Sequence, residues 1–153
     1  MLRIGKLTDY ATVVMAELAE HTGECWSASQ VAEVTRLELP TVAKVLKTLA
    51  KAGLIDSVRG VNGGYRLHAG PESISVAAII RAMEGPIALT ECGLEPGLCS
   101  REHDCNLKGN WQRIGQTVEY ALESLSLADL AAPQDPGLRL VTRTAPLAGN
   151  RGN

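Results

Sequence analysis

The stretch that decides the fold is residues 39–67, LPTVAKVLKTLAKAGLIDSVRGVNGGYRL. Its first half places apolar residues at helical spacing, directly after a proline that suits the first turn of a helix. A glycine then ends that helix, and two short β-prone runs follow on either side of a glycine-rich turn. This pattern predicts one helix followed immediately by a β-hairpin.

Two further helices are predicted upstream of this stretch. Apolar residues recur at helical spacing from residue 6 to about residue 21, at Leu7, Ala11, Val14 and Leu18. Ser27 and Gln30 form a capping-box pattern that opens a short second helix. Three helices followed by a hairpin is the element order of a winged helix-turn-helix, in which the third helix enters the major groove of DNA.

The outer face of the third predicted helix carries the residues expected to contact DNA. Lys44, Lys47 and Lys51 can neutralise phosphates, and Thr41 and Lys44 lie near the helix start, where side chains reach base edges. Arg59 lies just before the tip of the hairpin, where a guanidinium can enter a minor groove. The predicted DNA-binding residues are therefore these five.

The charge of the chain supports DNA binding only locally. The chain has 153 residues, with 15 Lys and Arg against 17 Asp and Glu, so a uniformly basic nucleic-acid-binding protein is excluded. Aromatic residues make up only 3%, too few for a single-strand binder that stacks bases. Residues 41–70, however, contain five basic residues and one acidic residue. Lysines on one helix are most often only its solvated face, so it is the helix order, the hairpin and this local charge together that favour DNA binding.

The second half of the chain is predicted to contain two more helices. Ser75 is expected to cap the fourth helix, which Gly85 and Pro86 end. A long helix follows further on, with apolar residues in a heptad-like seam at Leu107, Trp111, Ile114, Val118, Ala121 and Leu125. A seam of this length suits packing against a partner helix.

The predicted fold is mainly α with a small β-hairpin, a winged helix-turn-helix followed by a long dimerisation helix. Its expected parts are a DNA-binding domain at 1–70, a cysteine loop with the dimerisation helix at 71–131, and a disordered tail at 132–153 that prolines and glycines punctuate. No signal peptide or membrane-spanning stretch is apparent, so a cytoplasmic location is expected.

Three cysteines, Cys92, Cys99 and Cys105, lie between the fourth helix and the long helix with the spacing C-x6-C-x5-C. In a reducing cytoplasm such thiols are ligands, reactive groups or core residues rather than disulfides. Soft thiolates select iron–sulfur clusters, Zn or Cu(I), but this spacing fits no general ligand motif, so the residues alone leave ligated and unligated cysteines equally open. A cluster normally takes four protein ligands, and the candidates within the loop are Glu91, Glu95, Glu102, His103 and Asp104. Cys25 is remote in sequence and is expected to be a small buried residue.

The stretch from Leu2 to Leu130 resembles the Rrf family of winged-helix regulators, which includes the Isc and Suf iron–sulfur assembly regulators and the nitric-oxide-sensitive repressor. Besides the cysteine loop, the matching pieces are residues 7–11 (LTDYA), 57–60 (SVRG), 63–65 (GGY) and 126–130 (SLADL). Residues 110–113 (NWQR), after the last cysteine, are most similar to the Suf-system regulators.

The resemblance implies a homodimer with crossed long helices and an iron–sulfur cluster, [2Fe-2S] or [4Fe-4S], held by the three cysteines and a fourth, variable ligand. In the Isc regulator that ligand is a His three residues after the last cysteine. This sequence has Lys108 there, which has no lone pair when protonated. In the nitric-oxide-sensitive repressor the ligand is an Asp in the first helix of the other subunit, within a Thr-Asp pair that Thr8 and Asp9 match. Asp9, donated across the dimer, is therefore the first choice.

The sequence and the resemblance together predict a cytoplasmic, dimeric transcription regulator that senses an iron–sulfur cluster. It would bind a pseudo-palindromic operator in double-stranded DNA and repress Suf-type cluster assembly genes. The alternatives are a thiol- or zinc-based redox-responsive winged-helix regulator, a winged helix used only for protein contacts, and an iron–sulfur electron-transfer protein that does not bind DNA. No nucleophile–base constellation, phosphate-binding loop or cofactor fingerprint indicates an enzyme.

Overall fold

The computed structural model describes residues 3–133, and within them the chain is mainly helical with one two-stranded hairpin, which confirms the predicted fold class. The elements in chain order are α1 (Lys6–Glu20), α2 (Ala28–Thr35), α3 (Leu39–Lys51), β1 (Ile55–Val58), β2 (Gly64–Leu67), a 3-10 turn (Pro71–Ser73), α4 (Val76–Glu84), α5 (Glu91–Leu94), α6 (Lys108–Glu123) and α7 (Leu127–Ala131). The predicted disordered tail lies outside the described residues from residue 134 onward. No helix in the described part is both long enough and apolar enough to cross a bilayer.

Local side-chain chemistry sets the ends of the helices in the unit formed by α1, α2, α3 and the hairpin, called here the head. The Ser27 hydroxyl accepts a hydrogen bond from the Gln30 backbone N–H at 3.2 Å, and the Gln30 side chain accepts one from the Ser27 N–H at 2.9 Å. This reciprocal pair is the predicted capping box. Pro40 lies in the first turn of α3, and Gly53 follows that helix with a φ of +75°, a conformation that favours glycine.

The hairpin is attached to the head through Trp26. The Trp26 backbone N–H donates to the Tyr65 carbonyl at 2.9 Å, and the Tyr65 N–H donates to the Trp26 carbonyl at 2.8 Å, so the segment before α2 adds one bridge to β2. A side chain at Gly64 would place its Cβ 2.6 Å from the Trp26 carbonyl oxygen, so this close approach requires glycine. The hairpin is therefore held as a rigid wing beside the helices.

One apolar core runs across the expected boundary after residue 70. The helix faces predicted for α1 and α3 form its centre, and residues downstream of the hairpin complete it. Its buried members are Ala11, Val14, Met15, Leu18, Val31, Ala32, Val42, Val45, Leu46, Leu49, Ile55, Leu67, Ile74, Ile79 and Leu127. The proposed division at residue 70 thus separates two functional parts that share a core.

The start of α1 is tied to the end of α4 by Glu84. The Glu84 carboxylate accepts hydrogen bonds from the Gly5 backbone N–H at 2.7 Å and from the Thr8 hydroxyl at 2.6 Å. No side chain local to α1 caps its N-terminus, so a residue 79 positions downstream supplies the acceptor. The hydrogen bonds from Thr8 and then Gly5 hold the pKa of the Glu84 carboxyl below its ordinary value.

Replacing Glu84 by Ala should lower the free energy of unfolding at pH 7 by about 1 kcal/mol, because α1 loses its only side-chain cap. Glu84→Gln keeps an acceptor and should lose less. Since the folded-state pKa is depressed, the wild-type contribution is present above the unfolded pKa of about 4.3 and is lost as the pH falls through the lower folded value.

Urea unfolding at neutral and acid pH measures this contribution. Glu33→Ala, which removes an exposed carboxylate from α2, is the matched control. Equal losses for Glu84→Ala and Glu33→Ala at pH 7 would show that the connection between α4 and α1 contributes nothing to stability.

Candidate functional site

The recognition helix α3 presents its predicted basic residues to solvent. Lys44, Lys47 and Lys51 are exposed, and Thr41 is half-buried near the helix start. The three lysines are three and four residues apart, so they share one face, opposite the buried apolar side. A row of ammonium groups along one helix face can neutralise successive phosphates of a DNA backbone.

The tip of the wing carries Arg59 and Val61, both exposed. Arg59 was predicted from the sequence as a DNA contact, and Val61 was not. The signal available for Val61 was an aliphatic residue within a glycine- and asparagine-rich turn. Single exposed aliphatic residues are ordinary. It is the position beside Arg59, on the same projecting tip, that makes Val61 a candidate DNA contact.

The cysteine segment, defined as residues 91–107, lies between α4 and α6 and ends directly before α6. Cys92 is buried within α5, with its Sγ 3.2 Å from the Thr90 hydroxyl oxygen, whereas Cys99 and Cys105 are partly buried. The four-residue helix α5 was not predicted, because it is too short to show helical periodicity. Cys25 is partly exposed and not buried as expected.

The three predicted thiol ligands lie on one segment, but their sulfur atoms do not all lie within 4.8 Å of one another. Within residues 3–133, the one trio of His, Cys, Asp or Glu side chains that meets this distance is Glu17, Glu20 and His21, at the end of α1. A tetrahedral zinc ion with Zn–S bonds of about 2.3 Å needs sulfur atoms only about 3.8 Å apart. The thiolates of a cluster can ligate different irons and need not approach so closely. Three soft thiolates suit an iron–sulfur cluster or zinc, and within one chain they are not gathered around a single ion.

Lys108 and Glu102 form an ion pair at the end of the cysteine segment. The Lys108 ammonium donates to the Glu102 carboxylate at 2.6 Å, and the Gly97 backbone N–H donates to the same carboxylate at 2.5 Å. The hydrogen bond from Lys108, and after it that from Gly97, holds the pKa of the Glu102 carboxyl below its ordinary value, while Glu102 raises the pKa of Lys108. A protonated lysine has no lone pair and cannot ligate iron. Of the loop candidates for a fourth ligand, Glu102 is thus already engaged.

Asp9 is exposed in the first turn of α1. Its neighbour Thr8 is buried and bonded to Glu84, so the position of this turn is fixed. Within one chain, Asp9 is not grouped with the cysteine thiols.

The long helix α6 buries none of its residues within the single chain. In its predicted seam, Leu107, Trp111 and Ile114 are 57%, 42% and 46% exposed. Arg81 of α4 connects α6 to the head, because its guanidinium donates to Glu119 and to Glu123, each at 2.9 Å. The apolar seam is therefore without a partner in the part of the single chain that the structure describes.

The recognition helix with its exposed lysines and the wing with its exposed arginine define a winged helix-turn-helix protein of the DNA-binding class. The chain belongs to the Rrf2 family, described as iron-dependent transcriptional regulators, which matches residues 4–133. The family assignment confirms the resemblance predicted from the sequence.

Named relatives are transcription regulators. The regulator CymR of Bacillus subtilis (strain 168) is 33% identical over 135 residues, which cover 88% of this chain and 93% of that protein. The regulator NsrR of Shouchella clausii (strain KSM-K16) is 30% identical over 136 residues, which cover 88% of this chain and 91% of that protein. Both are described as helix-turn-helix transcriptional regulators.

Solved structures share the fold over most of the chain. The structure of CymR, described as the global cysteine regulator of B. subtilis, has a TM-score of 0.71 and 32% identity, and the match covers 88% of this chain and 100% of that one. T. potens IscR has a TM-score of 0.65 and 29% identity, and the match covers 88% of this chain and 95% of that one.

Removing Lys47 or Lys51 by substitution with Ala should weaken binding to all DNA sequences alike and reduce the salt slope by about one unit each. Arg59→Ala, Thr41→Ala and Lys44→Ala should weaken binding to an operator selected from genomic DNA more than binding to a scrambled duplex, because these side chains reach the bases or a groove. Titrations at several salt concentrations measure both effects.

Arg113→Ala, which removes an exposed cation from α6, is the control and should leave DNA affinity unchanged. If Lys44→Ala and Arg59→Ala both left operator affinity intact, this helix and wing would not read DNA. The alternative of a winged helix used for protein contacts would then be the better explanation.

Proposed function

We propose that this protein is a dimeric, DNA-binding transcription regulator that senses an iron–sulfur cluster held by Cys92, Cys99 and Cys105. The observation that carries the proposal is the position of these three thiols on one segment. The segment lies between α4, which packs in the core of the DNA-binding head, and α6, which it directly precedes. A group bound there lies between the part that contacts DNA and the helix expected to pair with a second subunit.

The proposed fourth ligand is Asp9, donated across the dimer. Its exposure at the start of α1 leaves the carboxylate available to another chain, and Glu84 holds that turn in place. Lys108 and Glu102 are paired with each other, so neither is proposed as the fourth ligand. When bound, a cluster, [2Fe-2S] or [4Fe-4S], supplies iron that responds to oxidants, to iron supply or to nitric oxide.

The proposed partner of α6 is the α6 of a second copy of this chain. The exposed seam around Trp111 and Ile114 supplies an apolar face, and its heptad-like spacing is that of helices that pack side by side. In such a dimer, Arg81 connects each head to α6 through Glu119 and Glu123. A change at the cysteine segment can then alter the relative orientation of two heads, which is a coupling between distinct sites. Two-fold symmetry in the protein matches a pseudo-palindromic operator.

The proposed target genes are those of Suf-type iron–sulfur assembly, with the protein acting as a repressor. The support for this assignment is the similarity of residues 110–113 to Suf-system regulators and the description of the family as iron-dependent. The proposed location is the cytoplasm, where thiols stay reduced and remain free to bind iron.

A thiol-based or zinc-based regulator that uses the same segment is the second candidate. The similarity to CymR, described as a global cysteine regulator, favours a response to thiol chemistry. Soft thiolates suit both a cluster and a zinc ion, so the ligand chemistry of the segment is compatible with either candidate. Iron, sulfide and zinc assays on protein purified without oxygen distinguish these candidates.

Replacing Cys92, Cys99 or Cys105 singly by Ala should abolish the visible absorbance and the bound iron and sulfide of anaerobically purified protein, because each thiolate ligates iron. Cys25→Ala is the control and should retain all three signals. If Cys25 proved essential and one of the other cysteines did not, the ligand assignment would be wrong.

Substituting Ile114 or Val118 by Glu should convert the dimer to monomers, or to aggregates, because like charges would face each other across the α6 seam. Sedimentation measures the state, and operator binding should be lost with it. Thr117→Glu, on the same helix but outside the seam, should leave the dimer intact. A wild-type protein that is monomeric with its cluster loaded would reject both the dimer and the role of Asp9.

A further inference from the structure

Glu102 lies at the centre of the contacts that fold the cysteine segment. Its side chain is only 9% exposed, although most residues around it are exposed. The carboxylate accepts a hydrogen bond from the Gly97 backbone N–H and one from the Lys108 ammonium, at 2.5 and 2.6 Å. A carboxylate withdrawn from water is stable when its charge is paired and its oxygens are bonded, and both conditions hold here.

These contacts, named here the Glu102 bridge, join one residue from each interval between the cysteines to the first residue of α6. Gly97 precedes the second cysteine, Glu102 separates the second from the third, and Lys108 follows the third. Gly97 has a φ of +88°, which suits glycine, so the turn that presents its N–H is built into the sequence. The Lys108 backbone N–H also donates to the Cys105 carbonyl at 3.3 Å. The segment therefore has internal contacts that need no metal.

The cysteine segment is also attached to the helix that follows it. Gln112 of α6 donates to the Cys92 carbonyl at 3.4 Å, which connects the first cysteine to the helix that follows. Both ends of the segment are thus held against the start of α6.

We propose that Glu102 is a positioning residue, which holds the cysteine segment folded before any cluster is bound and thereby speeds cluster uptake. Fixing the residues of a flexible chain costs conformational entropy, and a disordered segment meets that cost at the moment of binding. A segment that is already folded has lost much of this conformational entropy before the cluster binds. The claim about uptake rests on the proposed function, whereas the claim about folding does not.

Hydrogen exchange of the cluster-free full-length protein, reduced and kept without oxygen, tests the folding claim. In Glu102→Ala and Lys108→Gln, the backbone amides of residues 91–107 should exchange about tenfold faster than in the wild type, which corresponds to about 1.4 kcal/mol. Lys108→Arg keeps the ion pair and should restore protection.

Arg101→Gln is the matched control, because Arg101 is an exposed charged side chain in the same segment and is not a candidate ligand. It should exchange like the wild type, and all variants should keep wild-type protection in α1 and α3. Equal exchange in the wild type and Glu102→Ala, or an unprotected wild-type segment, would overturn the proposal.

Cluster uptake from ferric and ferrous iron with sulfide, followed by absorbance, tests the second claim. Glu102→Ala should take up a cluster about tenfold more slowly than the wild type and Arg101→Gln. A loosened segment with unchanged or faster uptake would overturn the role of Glu102 in loading. If the wild type formed no cluster while the exchange pattern held, the proposed function would fail and the folding role of Glu102 would stand.

Discussion

The burial of α4 against α1 and α3 is the contact on which the geometry of both functional parts depends. Ile79 of α4 is fully buried in the core that also holds the recognition helix. Burying one such side chain stabilises a fold by about 1.5–3 kcal/mol. At the polar edge of the same helix, Arg81 binds α6 and Glu84 binds the start of α1. A shift of α4 would therefore move the DNA-binding head relative to the long helix.

The cysteine segment lies where a bound ligand can shift α4 relative to α6. It lies within the connection between α4 and α6 and directly precedes α6, so its conformation contributes to how these two helices are joined. A ligand can shift an equilibrium between two arrangements only by as much as its affinity for them differs. A cluster that takes ligands from two subunits would bind only an arrangement that brings those ligands together, which supplies that difference. The Glu102 bridge limits how far the segment can change when no cluster is present.

The sequence predicted those features that depend on residues close together in the chain. The capping box of Ser27 and Gln30 and the glycine-tipped wing are local patterns, and the structure confirms them. The exposed seam of α6 also follows from spacing along one helix, although Leu107 and Leu125 lie just outside the helix bounds.

The remaining features depend on residues that meet only after folding. Glu84 reaches Gly5 across 79 positions, and no pattern near either residue indicates that contact. The spacing C-x6-C-x5-C permits many arrangements of three thiols, because intervals of five and six residues are flexible. The pairing of Lys108 with Glu102 could likewise not be predicted from the sequence, because the segment contains several acidic residues that could pair with Lys108.

The most direct measurement is operator binding by one anaerobic preparation before and after its cluster is removed. The same dimeric protein, assayed for iron and sulfide at each step, is titrated onto operator and scrambled duplexes at fixed salt. The predicted result is that operator affinity changes with cluster content, while affinity for the scrambled duplex stays nearly constant. Operator affinity that stayed the same with and without the cluster, or a preparation that contained no iron and sulfide, would contradict a cluster-sensing regulator.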